Sequence, residues 1–293
     1  MELQQTLEQC EQLIRDNSTS FYRAFSTLPS PQREAVFVIY AFCRLIDNSV
    51  DEPEQSPFTL EELEMQFKQL ETAQGHFIWP SLRWLFACFP LSQEPFFRQM
   101  TGQRRDGILT HYNSMKELEE YCYLVAGTVG EMLLPVLHPS PDKEVVEAGI
   151  YLGKAMQVVN IIRDVGADMQ LGRRYLPLDL MNKHHYTAAE FERREVNAKF
   201  IAMLNELTEL ADHWFALGLS NLNEYPAKSA FAVELAASYY RAIIDEVIRI
   251  KYNVYRRRAV VGALAKKRIY TSLKSKYNAL SSEERHPDGE AVS

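Results

Sequence analysis

The stretch from Lys143 to Asp168, KEVVEAGIYLGKAMQVVNIIRDVGAD, decides the fold. Val145, Val146, Ile150, Leu152, Ala155, Met156, Val158, Val159, Ile161, Ile162 and Val165 recur at helical spacing and cover most of one helix. A helix that is apolar nearly all round is buried. Yet Gly153, Gln157, Asn160, Asp164 and Asp168 share a single stripe, because residues three and four apart stack on one face. Aspartate is a poor helix former, so two on an interior face need a reason. A solvated helix end with Asp168 outside would be the local explanation.

The same pattern recurs far upstream, in Pro31–Asp51 (PQREAVFVIYAFCRLIDNSVD). Val36, Phe37, Val38, Ile39, Ala41, Phe42, Leu45 and Ile46 make this a second buried rod, with Tyr40, Arg44, Asp47 and Asp51 on one stripe. Its local explanation is an Arg44–Asp47 ion pair with Asp51 at a wet helix end. Two such stripes together point elsewhere. Buried like charges are costly unless something positive sits between them. Hard cations holding a phosphorylated ligand fit an all-oxygen set, and magnesium shares a few carboxylates with substrate phosphates. Zinc would call for His or Cys, and the seven histidines are scattered away from both motifs.

Elsewhere the apolar spacing is also helical, with no strand-like alternation. Helices are expected over Leu3–Ile14 and Pro31–Asp51, then near 58–73, 80–89, 92–104, 115–135, 143–168, 187–222, 226–251 and 256–279. Asn17–Ser20 breaks the first helix and can cap the next one. The 293 residues are long enough for a large core, and no Gly/Ser/Pro-rich linker divides them. A single all-α domain over 1–280 is expected, with a polar, disordered tail over 281–293. A net charge of −7 argues against a nucleic-acid partner. Cys10, Cys43, Cys88 and Cys122 are spaced as reduced core residues. The N-terminus has no basic and apolar leader, and no apolar run reaches about 18 residues, so a cytoplasmic protein is expected.

Two further segments stand out. Gly127 and Gly130 interrupt the helical pattern of Tyr121–Glu131, which allows either a kink beside a ligand or close helix packing. Arg256–Arg258, Lys266–Arg268 and Lys274 read as one basic helix. Such a run is ordinarily a solvated face; a diphosphate and peripheral contact with an anionic membrane surface are its other uses.

Taken together, these residues resemble the squalene/phytoene synthases, the head-to-head prenyl-diphosphate synthases. The likeness runs from Ser18-x-Ser20-Phe21 to Arg257. It rests on Tyr40-x-x-x-Arg44-x-x-Asp47-x-x-x-Asp51, on Tyr121-x-x-x-Val125-Ala126-Gly127-Thr128-Val129-Gly130, and on Gln157-x-x-Asn160-Ile161-x-Arg163-Asp164-x-x-x-Asp168. Gly172-Arg173-Arg174-Tyr175-Leu176-Pro177 fits as well. Among members, it looks most like the bacterial dehydrosqualene synthases of carotenoid pathways.

The resemblance implies an isoprenoid-synthase fold around a central cavity that binds two farnesyl diphosphates with two or three magnesium ions. It implies that Asp47 and Asp51 hold metal on one wall, and Asn160, Asp164 and Asp168 on the other. Asn17, Ser18, Thr19, Ser20, Phe21, Tyr40, Arg44, Val125, Gln157, Arg163, Tyr240 and Arg257 would contact diphosphates or chains. Phe21 and Phe25 match bulky positions of thirty-carbon makers. The implied reaction ionises one substrate, lets the second substrate's double bond attack, and loses a proton to give cyclopropyl presqualene diphosphate. A second ionisation and rearrangement give dehydrosqualene (4,4'-diapophytoene), which a downstream desaturase would consume. Tyr121 or the released diphosphate would take the proton, and NADPH would not be used. One departure is visible: the first motif often reads Asp-Asp-x-x-Asp, and its second position here is Asn48, which predicts altered metal occupancy. Squalene synthase, phytoene synthase and a non-catalytic prenyl-diphosphate-binding protein are the alternatives. The oligomeric state is not encoded in any of these motifs.

Overall fold

Helical periodicity dominates the chain, and the structure follows it. A computed structural model describes residues 2–283. It contains α1 (Leu3–Asn17), α2 (Thr19–Phe25), α3 (Gln32–Asp51), α4 (Leu60–Lys68), α5 (Ile78–Cys88), α6 (Glu94–Asp106) and α7 (Met115–Cys122). A π-helical turn (Tyr123–Gly127) leads into α8 (Thr128–Leu137) and then α9 (Lys143–Gln170). The chain continues through α10 (Leu178–Lys183), α11 (Ala188–Glu192), α12 (Ala198–Gly218), a 3-10 turn (Leu222–Glu224), α13 (Ala227–Arg249) and α14 (Ala263–Glu283). Among the described residues there is no strand, only an isolated bridge between His111 and Arg174.

Helix α9 is the axis. It packs against α12, α8, α13 and the π-helical turn. By length and composition it is apolar enough to cross a membrane, but more than half of that window is buried inside the fold. Its Leu152 and Met156 touch both halves of the apolar core, one built around α3 and the other around α12. The α3 half is rich in aromatic contacts: Phe42 lies 5.0 Å from Phe67 and 5.9 Å from Phe96, ring centre to ring centre.

Three expected boundaries differ. Ser18 interrupts the chain for a single residue, and its side chain accepts from the Phe21 backbone N–H to start α2. That helix is too short to show a period. The long helix expected over 187–222 divides, because Arg194 takes φ 58° and Asn197 caps α12 by accepting from Lys199 and Phe200. The basic helix expected over 256–279 is also two pieces. Lys251 and Tyr252 take φ 56° and 57° and turn the chain away after α13, leaving Arg256–Arg258 in a loop before α14. The loop lies hard against α9: a Cβ on Gly166 would sit 2.5 Å from the Tyr255 carbonyl oxygen.

Helix α14 continues to Glu283, three residues into the expected tail, and residues 284–293 lie outside the described residues. Cys10, Cys43 and Cys122 are buried free thiols as expected, whereas Cys88 is exposed at the end of α5.

Candidate active site

Glycine makes the cavity wall thin. At Gly153 on α9, a Cβ would lie 2.1 Å from the Ala126 carbonyl oxygen, and at Gly130 on α8 it would lie 2.2 Å from that of Gly149. The two segments therefore cross backbone on backbone, and the crossing turn adopts a π-helix, a distortion frequent beside functional sites. Of the two uses left open by the sequence, close helix packing is the one seen here.

Beside this crossing lies a cavity of about 200 Å³, lined mainly by apolar side chains. Phe21, Phe25, Val125, Val129 and Leu133 all face it, as does Gln157. The Phe21 ring centre is 4.8 Å from that of Phe25, 6.1 Å from Tyr40 and 6.3 Å from Tyr240. A second, polar chamber of about 340 Å³ adjoins it. The two share Tyr40, Cys43, Asp47, Asn160 and Tyr240, a collar contributed by α3, α9 and α13. The chamber collects Arg44, Arg163, Arg258 and Lys266 against the carboxylate of Asp47, with Asn17, Ser18, Thr19 and Ser20 on its rim. An apolar cavity opening into a cationic chamber suits an amphiphile with a long hydrocarbon tail and an anionic head.

Electrostatics separates the carboxylates. Asp47 accepts a hydrogen bond from Gln103 at 2.6 Å. Burial, and then the nearby Asp51, pushes it up to about 7. The local Arg44–Asp47 pair does not form. Arg44 instead pairs with Glu52 at 3.7 Å and leaves its buried Nε without a partner. Asp168 is not a solvated helix end either. It is half-buried, and burial, then Asp164 and Asp106, pushes it up to about 8. Asp164 behaves oppositely: burial pushes it up, but Arg163 and Arg258 together outweigh that and hold it below the ordinary aspartate range. Arg258 reaches it at 2.9 Å from the loop that packs over Gly166.

A fifth carboxylate, outside the two stripes, joins these four. Asp106, at the end of α6, is 4% exposed and accepts from Tyr175 at 2.5 Å and Tyr121 at 3.1 Å. Arg173 lies between walls, 2.6 Å from Asp51 and 3.6 Å from Asp106. Tyr121 is therefore not placed as a proton acceptor. Its hydroxyl already donates to Asp106, burial pushes its pKa well up, and it lines neither the cavity nor the chamber. Arg257 is likewise displaced, exposed outside the chamber, and its neighbour Arg258 takes the inward position. Asn48 lines neither the cavity nor the chamber, and its Oδ1 is buried and unpartnered. Gln99, Gln103 and Asp106 could have been found by the same spacing argument as the α3 stripe, since they lie four and three apart on α6 and are buried.

Comparison with known proteins settles the family. The squalene/phytoene synthase profile matches residues 14–265. The chain belongs to the squalene/phytoene synthase family. Within that family it is 33% identical to the 4,4'-diapophytoene synthase of Staphylococcus haemolyticus (strain JCSC1435), over 94% of this chain and 98% of the relative. It is 36% identical to the phytoene synthase of Arthrospira platensis, over 87% of each. A ligand-bound crystal structure of a dehydrosqualene synthase superposes with a TM-score of 0.88 at 33% identity, over 94% of this chain and 98% of that one. A squalene synthase from Alicyclobacillus acidocaldarius shares the fold, with a TM-score of 0.77 at 24% identity over 86% of this chain and 96% of that one. This squalene/phytoene synthase thus has the all-α isoprenoid-synthase fold and is a prenyltransferase-type synthase.

Proposed function

We propose that this synthase joins two farnesyl diphosphates head to head through presqualene diphosphate to dehydrosqualene, in a magnesium-dependent reaction without NADPH. The observation that carries the reading is the paired Phe21 and Phe25 rings, 4.8 Å apart, lining an apolar cavity that adjoins the four-cation chamber. Bulky rings there favour a fifteen-carbon chain over a twenty-carbon one. The 33% identity to a diapophytoene synthase over nearly all of both chains supports the same product.

The residues fit magnesium in a particular way. Asp47 and Asp168 are carboxylates held up by burial and by neighbouring carboxylates, so a nearby cation would relieve both. Asn160 Oδ1 and Asp106 Oδ1 are buried oxygens without a partner. Among the described residues no group of three or more His, Cys, Asp or Glu side chains is gathered tightly enough to hold a metal unaided. Diphosphate oxygens would therefore complete the coordination, with Asp47 and Asp51 on one wall and Asn160, Asp164 and Asp168 on the other. When bound, magnesium supplies positive charge against the departing diphosphate.

The chain's own residues do the rest. Arg44, Arg163, Arg258 and Lys266 bind the diphosphate heads and stabilise the charge that accumulates as the allylic carbon–oxygen bond breaks. Phe21, Val125, Val129 and Leu133 hold the chains close and keep water from the cations. The collar of Tyr40 and Tyr240 lies between the heads and the tails. Both tyrosines are protonated, because burial pushes each pKa up. The protons lost in cyclopropane formation and in the final elimination go to released diphosphate, the strongest base within reach. Each turnover releases two diphosphates and two protons and leaves a thirty-carbon triene centre, with no net oxidation that would call for NADPH.

Incubation with farnesyl diphosphate and magnesium, with and without NADPH, followed by mass spectrometry of the extracted hydrocarbon, tests this. Dehydrosqualene in both incubations supports the reading. Squalene only with NADPH, or product only from geranylgeranyl diphosphate, overturns it.

A further inference from the structure

Charge is segregated along this chain. Between Val247 and Ser282 there are ten Lys and Arg and no Asp or Glu. The other 22 basic residues face all 39 acidic ones. Some of the ten are engaged internally. Arg249 pairs with Glu246, Arg258 with Asp164 and Lys276 with Glu234, while Lys266 is buried and donates to Thr19. Arg256, Arg257, Lys267 and Arg268 are exposed, and no ion pair forms at them among the described residues.

Those cations surround exposed apolar side chains. Val260 is 63% exposed and Leu264 is 75% exposed. On α14, Leu264, Lys267, Arg268, Thr271 and Ser275 follow the three-and-four spacing of one helix face. The face is continuous with the chamber. Val260 and Lys266 line the chamber; Lys266 also borders a shallow groove with Arg23, Leu264 and Lys267; and Leu264 and Lys267 border the next groove with Arg268.

We propose that this face, comprising the first turns of α14 with Arg23 and Val260 beside it, docks on an anionic lipid bilayer and presents the chamber rim to the headgroups. Unpaired cations around projecting aliphatic side chains are the combination a lipid interface rewards, with charge meeting phosphate and Leu264 entering the acyl boundary. An acidic protein segment would match the cations and leave Val260 and Leu264 in water. The inference does not depend on the reaction proposed above, since vesicle binding needs no substrate.

The test is cosedimentation of the full chain with sucrose-loaded phosphatidylcholine vesicles, with and without phosphatidylglycerol. Sedimentation with the anionic vesicles alone, falling as salt is raised, is the expected result. Each surface cation contributes about fivefold to partitioning, so K267Q/R268Q weakens binding about thirtyfold. Leu264→Ser weakens it without changing the salt dependence. Melting temperatures equal to the parent's show that both variants fold. Equal binding with and without phosphatidylglycerol, no binding to either, or parental binding by K267Q/R268Q overturns the proposal.

Discussion

Replacing Gly153 with alanine tests the cavity wall. The added Cβ would lie 2.1 Å from the Ala126 carbonyl oxygen, 2.7 Å from its carbon and 3.0 Å from the Gly127 nitrogen. Ordinary contact begins at 3.4 Å, so the π-helical turn must retreat from α9 by about 1.3 Å. All three atoms are backbone, so no rotamer change relieves the clash. Overpacking of this kind costs about 3 kcal/mol at the upper end of its usual range. Alanine's better helix propensity returns about 1 kcal/mol. The net loss of about 2 kcal/mol lowers the melting temperature of a domain this size by about 3–4 °C. Thermal melting by circular dichroism reads this directly, with Gly262→Ala as control, since nothing lies within 4 Å of its Cβ position. Ala126 and Gly153 both line the cavity, so G153A also shifts the ratio of turnover on fifteen- and twenty-carbon substrates. A G153A protein that melts at or above the parent's temperature, with unchanged substrate preference, would refute the backbone-on-backbone wall.

Three further outcomes are expected at the site. Asp47→Ala and Asp164→Ala each remove a carboxylate from opposite walls and lower kcat by at least about a hundredfold, an effect of the size of one lost electrostatic contact in a transition state; near-parental diphosphate release by both variants contradicts the clamp. Asp47 and Asp168 titrate near 7 and 8 when folded, against 3.8 for an ordinary aspartate. The folded protein therefore holds protons that the unfolded chain has already lost; the stability this gives is full below about pH 3.8 and is lost as pH rises through 7 to 8. Melting of the metal-free protein should fall over that window, and the magnesium concentration for half-maximal activity should rise as pH drops from 8 to 6 (about two units through these titrations). Phe25→Ala enlarges the cavity beside Phe21 and should yield forty-carbon product from geranylgeranyl diphosphate, read by mass spectrometry; no such product removes Phe25 as a length gauge.

The sequence made the two central helices legible because a helix apolar all round leaves its polar residues conspicuous. Tyr40, Asp47, Gln157 and Asn160 stand at the cavity or its collar for that reason. What the spacing could not carry is geometry across loops. Arg258 rather than Arg257 enters the chamber because Lys251 and Tyr252 reverse the chain with left-handed backbone, a conformation that neither residue type announces. The break between α11 and α12 hinges on Arg194 in the same way. Asp106 shares a buried stripe with Gln99 and Gln103, but it closes α6, a position where an aspartate is ordinarily solvated. Its tyrosine partners come from α7 and from the loop before α10, an association made only by folding.

The proposed reaction needs one placement: diphosphate in the chamber between α3 and α9, hydrocarbon in the cavity lined by Phe21. A crystal structure with magnesium and the unreactive thiodiphosphate analogue of farnesyl diphosphate measures it. The head group is expected against Arg44, Arg163 and Arg258, with Asp47 and Asp164 approached from opposite sides and the chain between Phe21 and Leu133. A head group bound elsewhere, or a chain lying outside the collar of Tyr40 and Tyr240, would contradict it.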